Sequence, residues 1–261
     1  MTIPRLVGMV HLLPLPGSPR FGDSMDEVVE TAAEDARLLV ECGFPALLVE
    51  NFGDAPFYPD HVPPETIAAM TAAVAAVRQS GVPLGVNVLR NDALAALGVA
   101  AATGAEFIRV NVLTGVMYTD QGAITGRAAD VQRRHAVLCP NVEVWADVMV
   151  KHATPPPGLD AAQAAENTVE RGLADALIVS GSGTGVVPDL TEAKLVREAV
   201  PANTRLVIGS GATPDNINAL AGVADTIIVG SSIKVGGDIT KRPDPLRARE
   251  FVEKARERGL L

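Results

Sequence analysis

At 261 residues, with 48% hydrophobic and 20% charged side chains, the chain suits one large domain or two small ones with a sizeable buried core. Its formal net charge of -9, without a basic stripe, argues against nucleic acid or an anionic membrane surface as the main partner, and no apolar run approaches the roughly 18 residues of a membrane span. Any anionic ligand must therefore be held by local N–H groups and a few placed cations rather than by a global field. Cys42 and Cys139 make no disulfide framework and read as free thiols in a reducing cytosol. The N-terminal stretch MTIPRLVGMVHLLPLPG lacks the charged start, long apolar run and cleavage site of a signal peptide, so a cytoplasmic location is expected.

In chain order the pattern is strand then helix, eight times. A strand over 6–11 enters a loop, 12–23, kept stiff by Pro14, Pro16 and Pro19. A helix over 25–42 follows, with Ser24 as its cap, Glu27 three residues on, and Gly43 closing it. A second strand, 46–51, leads through the loop 52–64 to a helix over 65–79. The third strand, 84–89, precedes a helix that starts at Asp92 and ends at Gly104. The fourth, 107–112, leads to a long loop, 113–125, and a helix over 126–138. The fifth, 142–150, is followed by the proline-rich loop 151–159 and a helix over 160–171. Strands over 176–179, 205–208 and 226–229 complete the set, with helices over 190–200, near Pro214 and over 245–258. With no composition break, residues 1–261 read as a single domain. Alternating strands and helices indicate a parallel sheet. Eight units favour a (β/α)8 barrel, which takes about 250 residues, over a doubly wound sheet; no GxGxxG opens the chain to support the latter.

In such a barrel the ligand site lies at the C-terminal strand ends. Strand alternation sends Leu47, Val49, Val86, Val88, Ile108, Val110, Val142, Val144, Ala146, Val148 and Val150 toward the helices. Glu50, Asn87, Phe107, Arg109, Asn111, Glu143, Trp145, Asp147, Met149 and Lys151 then point inward. Glu50, Asn87, Arg109, Asp147 and Lys151 thus form a candidate catalytic cluster, joined by His11. Glu50 or Asp147 would act as acid or base, and Lys151 would bind a carboxylate or form a Schiff base. The alternative is an ion-pair layer of Glu50 and Asp147 around Arg109 that only fills the barrel. His11 and His152 end strands and are candidate proton shuttles or ligands. A divalent metal on His11, Glu50, Asp147 and His152 is conceivable, but no paired-histidine motif supports it, so no metal or other cofactor is expected. His61 and His135 read as surface residues. Asp120 and Gln121, in the long loop, read equally as part of a lid or as a solvated turn.

Three consecutive strand ends carry small turns: Ser180-Gly181-Ser182-Gly183-Thr184-Gly185, Gly209-Ser210-Gly211, and Gly230-Ser231-Ser232. Glycines there let backbone N–H groups converge on one anion. Ser180, Gly181, Ser182, Gly183, Gly209, Ser210, Gly211, Gly230 and Ser231 are the candidate phosphate ligands, with Asn111 and His152 beside them. The plainer reading is that glycine closes the turns and serine caps the helices.

The stretches GMVHLLPLPGSPR (8–20), ENFGDAPF (50–57), GVNVLRND (85–92), FIRVNVLTGVMYTDQG (107–122), ADVMVKHA (146–153), ADALIVSGSGTG (174–185) and VIGSGATPDNI (207–217) together resemble the BtpA/SgcQ family. The resemblance implies a TIM barrel with a ribulose-phosphate-binding type of phosphate site, whose two standard loops match Gly209, Ser210, Gly211, Gly230 and Ser231. It implies less about activity: one branch is named for photosystem I biogenesis in cyanobacteria, and another sits among sugar-metabolism genes. Two functions follow as expectations. One is an enzyme on a phosphorylated small molecule, a sugar phosphate or nucleotide-like compound, with isomerase, lyase or glycosyl-transfer chemistry. The other is a non-catalytic assembly factor on a barrel scaffold. A homo-oligomer is expected on general grounds alone.

Overall fold

The expected strand pattern closes on itself in the computed structural model, which describes residues 3–181, 183 and 189–261. The barrel strands are β1 (Leu6–His11), β2 (Leu47–Glu50), β3 (Leu84–Asn87), β4 (Phe107–Val110), β7 (Glu143–Asp147), β9 (Ala176–Val179), β10 (Arg205–Ile208) and β11 (Thr226–Val229). They run parallel in the ring β1-β2-β3-β4-β7-β9-β10-β11, and β11 pairs back onto β1. Helices α1 (Met25–Glu41), α2 (Pro64–Arg78), α3 (Ala93–Thr103), α4 (Ala128–Leu138), α5 (Ala161–Glu166), α6 (Leu190–Ala199), α7 (Ile217–Ala221) and α8 (Pro245–Glu257) fill the connections. Ser24 caps α1 by accepting from the Glu27 amide at 3.1 Å, and Asp92 caps α3 by accepting from Ala95 at 2.9 Å. Cys42 and Cys139 are buried free thiols.

Alternation along the strands divides the core in two. Leu6, Val10, Leu47, Val49, Val86, Ile108, Val110, Val144 and Ala146 pack outward with the helices. Val7, Met9, Leu48, Phe107, Trp145, Ala176, Ile178, Val207 and Ile228 fill the barrel interior. Phe107 and Trp145 stack there with ring centroids 4.1 Å apart. Below them Glu143 accepts from Trp145 Nε1 and from Arg205, each at 2.7 Å, while the Arg205 guanidinium lies 5.6 Å from the Trp145 ring centroid. Glu143 therefore closes the N-terminal end of the barrel, opposite the strand ends where a ligand is expected.

Three expectations need correction. The strand read as 142–150 stops at Asp147, so Met149 and Lys151 lie beyond it and owe their positions to the following turn rather than to strand alternation. Val150 likewise faces neither barrel layer but packs with Val112, Met117 and Ile124. These residues lie under an unforeseen element: the long loop 113–125 contains a hairpin of β5 (Val116–Thr119) and β6 (Gly122–Thr125). Strand β8 (Ala153–Thr154) adds to it, making a three-stranded antiparallel sheet. Met117 and Ile124 bury one face, which is why so short a hairpin holds. His135, read as a surface residue, is half-buried, with Nε2 2.6 Å from the Val142 carbonyl.

Gly85 makes room for the barrel's largest layer, because a Cβ there would run into the Phe107 ring. Gly85→Ala is expected to cost about 1–3 kcal/mol through overpacking, read as a lower midpoint in urea unfolding; an unchanged midpoint would show that the ring has room to move.

Candidate active site

The parallel register builds the site. His11 pairs with Glu50, Glu50 with Asn87, and Asn87 with Arg109, so four polar residues stand side by side at the C-terminal ends of β1 to β4. Glu50 Oε2 accepts from Asn87 Nδ2 at 2.6 Å, and Glu50 Oε1 is 4.0 Å from His11 Nε2. Phe52, just after β2, holds the His11 ring with centroids 4.8 Å apart.

Arg109 reaches across to the end of β7. Its Nε and an Nη donate to the two oxygens of Asp147 at 2.9 and 2.8 Å, a bidentate pair with both side chains essentially out of solvent. Asn111 Nδ2 donates to Asp147 Oδ2 at 3.1 Å, and Ser180 Oγ donates to Oδ1 at 3.3 Å. Asp147 thus has both oxygens engaged and serves to position Arg109, Asn111 and Ser180. Ser180 is committed to this network rather than to the glycine turns.

Of the three small turns, the second and third share one pocket with the polar ring. Gly209, Ser210, Gly211, Gly230 and Ser231 line it together with His11, Glu50, Arg109 and Lys151. Gly209 is required by close approach: a Cβ there would come within 2.6 Å of Ser180 Oγ. Gly211 has φ 75°, a left-handed conformation suited to glycine. Ser210 Oγ and Asn111 Oδ1 are buried without a hydrogen-bond partner among the described residues. In the first turn Gly181 is buried and Gly183 half-buried, while Ser182, Thr184 and Gly185 lie outside the described residues. His152 is exposed at φ 55°. Among the described residues no three His, Cys, Asp or Glu side chains come together to hold a metal, so His11, Glu50, Asp147 and His152 form no such group.

Several residues at this mouth escaped the sequence reading. Arg90 is buried, donates to the Lys151 carbonyl at 2.5 Å and feels the charges of Asp147 and Glu50. Asn51 accepts from the Leu89 amide at 2.7 Å and donates to Asp54 at 2.9 Å, and Asp54 accepts from Leu15 at 2.8 Å. Asn91 exchanges hydrogen bonds with both backbone groups of Val112, at 2.7 and 2.9 Å. These clamps tie each strand-to-helix loop to the next. The run of polar residues Arg90-Asn91-Asp92 straight after a strand was their only sequence signal.

The charges follow from this packing. Three cations, Arg90, Arg109 and Lys151, face two carboxylates, Glu50 and Asp147, which leaves a local positive excess in an acidic chain. Burial lowers the Lys151 pKa, and Arg109 adds to the shift against the pull of Glu50 and Asp147. Burial opposes charge on Arg109 too, but Asp147 and Glu50 more than offset it. His11 is held well below its ordinary value of 6.5, first by burial and then by Lys234, Lys151 and Arg109, so its imidazole is neutral near pH 7.

Two stability effects should follow. Arg109→Leu strands the Asp147 carboxylate in the interior and is expected to cost about 3–5 kcal/mol by urea unfolding; a loss below 1 kcal/mol would mean that the pair is dispensable. Because the folded His11 has the lower pKa, the unfolded chain takes up a proton first as pH falls through about 6.5, so this residue's contribution to stability is lost toward acid pH. His11→Asn should therefore lose less stability than the parent between about pH 7 and about pH 5. Parallel curves would show that His11 titrates normally.

Comparison with known proteins agrees with this fold. A family model described as the BtpA family matches residues 2–257. The photosystem I biogenesis protein BtpA of Synechocystis is 46% identical over 249 residues, covering 95% of this chain and 86% of that protein. An uncharacterized protein of Thermococcus kodakarensis is 46% identical over 253 residues, 97% of this chain and 95% of its own. The putative sgc region protein SgcQ of Escherichia coli is 31% identical over 253 residues, 95% and 93%. Among solved structures, the native KDPGal structure superposes with a TM-score of 0.63 at 15% identity, covering 100% of this chain and 98% of that one. Thiamine phosphate pyrophosphorylase from Pyrococcus furiosus gives 0.58 at 14%, covering 97% and 96%. At such identities the likeness is one of fold. Among the described residues no helix is long and apolar enough to cross a membrane.

Proposed function

For this chain, which belongs to the BtpA family of (β/α)8 barrels, we propose an enzyme that performs acid–base chemistry, as an isomerase or lyase, on a phosphorylated small molecule. The observation that carries the reading is one pocket lined by both glycine turns and by His11, Glu50 and Lys151. The phosphate sits against the backbone N–H groups of Gly209–Gly211 and Gly230-Ser231, with Ser210 Oγ as a further donor. Its charge meets the local positive excess of Arg90, Arg109 and Lys151.

The reacting end then lies over the polar ring. His11, neutral near pH 7, takes a proton from carbon or hydroxyl, and the Glu50 carboxylate 4.0 Å away stabilises the imidazolium that forms. Asn87 holds Glu50 in place, and the Arg109–Asp147 pair fixes the floor. Lys151 stabilises negative charge developing on a substrate oxygen. Glycosyl transfer with Glu50 as the working carboxylate is the neighbouring possibility. The phosphorylated compound in one solved neighbour's name, thiamine phosphate, suits the same fold, while the biogenesis role named for the Synechocystis relative would need no substrate at all.

A thermal-shift screen with inorganic phosphate and sugar phosphates separates these readings. Binding at 100 times Kd stabilises by about 2.7 kcal/mol, so the parent midpoint should rise with at least one phosphorylated class, and Ser210→Asp should abolish the rise. No rise with any phosphate would make the turns structural and favour the scaffold role.

A further inference from the structure

A second cavity, of about 190 Å³, adjoins the first and shares His11, Phe52 and Ile239 with it. Its wall carries Lys234, placed by the turn Ser231–Ile233 that continues the third glycine turn. Lys234 is only 1% exposed, yet among the described residues it makes no side-chain hydrogen bond or ion pair. The nearest opposite charge is Asp35, itself buried and already taken by Arg242, which donates to Asp35 Oδ1 through Nε at 2.8 Å and lies 2.7 Å away through an Nη. Glu34 is also on Arg242, at 3.0 Å. Arg20 and Lys241 line the same cavity. Four cations, Arg20, Lys234, Lys241 and Arg242, thus line it together with Asp35. An ammonium on so buried a side chain is costly without a partner, and among the described residues only the more distant charge of Asp35 acts to favour it.

We propose that this cavity is a second anion subsite, which takes a carboxylate or phosphate group beside the reaction site through Lys234. The cavity has room for such a group with water, each water occupying roughly 30 Å³ in the liquid. The shared wall lets the anion lie against the far side of His11 from the glycine turns. Lys234 is already among the groups that keep the His11 imidazole neutral, so an anion here would bear on the protonation of His11. The location next to the reaction site rests on the proposed function; the subsite itself does not.

Calorimetric titration with inorganic phosphate, and separately with malonate, tests it on the parent chain, Lys234→Met and Ser210→Asp. Two phosphate equivalents are expected in the parent, or one phosphate and one malonate, with the equivalent assigned to this cavity at least tenfold weaker in Lys234→Met and retained in Ser210→Asp. Lys234→Gln is the second variant should Met at 234 not fold. A single equivalent lost in Ser210→Asp and untouched by either Lys234 variant overturns the subsite and leaves the glycine cup standing. A single equivalent lost with Lys234 and untouched by Ser210→Asp supports the subsite and removes the cup. No binding of either anion overturns both.

Discussion

The bidentate pair between Arg109 and Asp147 is the constraint on which the mouth of the barrel depends. A buried guanidinium and a buried carboxylate each carry a desolvation penalty of several kcal/mol, and here each meets it chiefly through the other, with Asn111 and Ser180 adding hydrogen bonds. The pair spans the seam between β4 and β7, where the hairpin ahead of α4 interrupts the simple alternation of strand and helix. Asn111 and Ser180 are oriented by the same carboxylate, so one ion pair aligns three strand ends. With Asp147 so occupied, the proposed proton transfer is assigned to the other side of the ring, where His11 and Glu50 lie 4.0 Å apart.

The mouth has an electrostatic character opposite to that of the whole chain. A net charge of -9 repels anions at a distance, yet Arg109, Lys151 and Lys234 gather around His11, with Arg90 beside Lys151. Screening over about 10 Å in ordinary salt confines the outer charges to the surface, so a bound anion responds to these few buried cations and to the N–H groups of the turns. Burial first, and then Lys234, Lys151 and Arg109, keep His11 neutral. In the proposed function, the excess that attracts an anion thereby also leaves the imidazole free to act as a base.

The loops above the barrel are fastened by asparagine and aspartate rather than by apolar packing alone. The chain of contacts from Leu15 through Asp54 and Asn51 to Leu89, and the exchange between Asn91 and Val112, satisfy backbone groups that irregular loops would otherwise bury unpaired. Gly53 belongs to this arrangement, since a Cβ there would press on the backbone of Leu13 and Pro14. The clamps tie the long, proline-rich loops of the mouth to one another beside the polar ring.

The amino-acid sequence alone determined the barrel, because its signals are local. Period-two alternation assigned Val144 and Ala146 to the helices and Trp145 and Asp147 to the interior, and Ser24 and Asp92 announced their helices. The family resemblance also pointed to Gly209–Gly211 and Gly230-Ser231. The hairpin was legible in principle: two short runs flank Asp120-Gln121, and Gly122 has φ 99°, but four-residue strands exposed on one side read as loop. What only the tertiary structure decided is partnership. That Asp147 belongs to Arg109, that Glu143 plugs the opposite end, and that Lys234 stands buried beside His11 all depend on strands and turns far apart in the chain. Closure of the barrel sets their register, and no periodicity within a single strand carries that information.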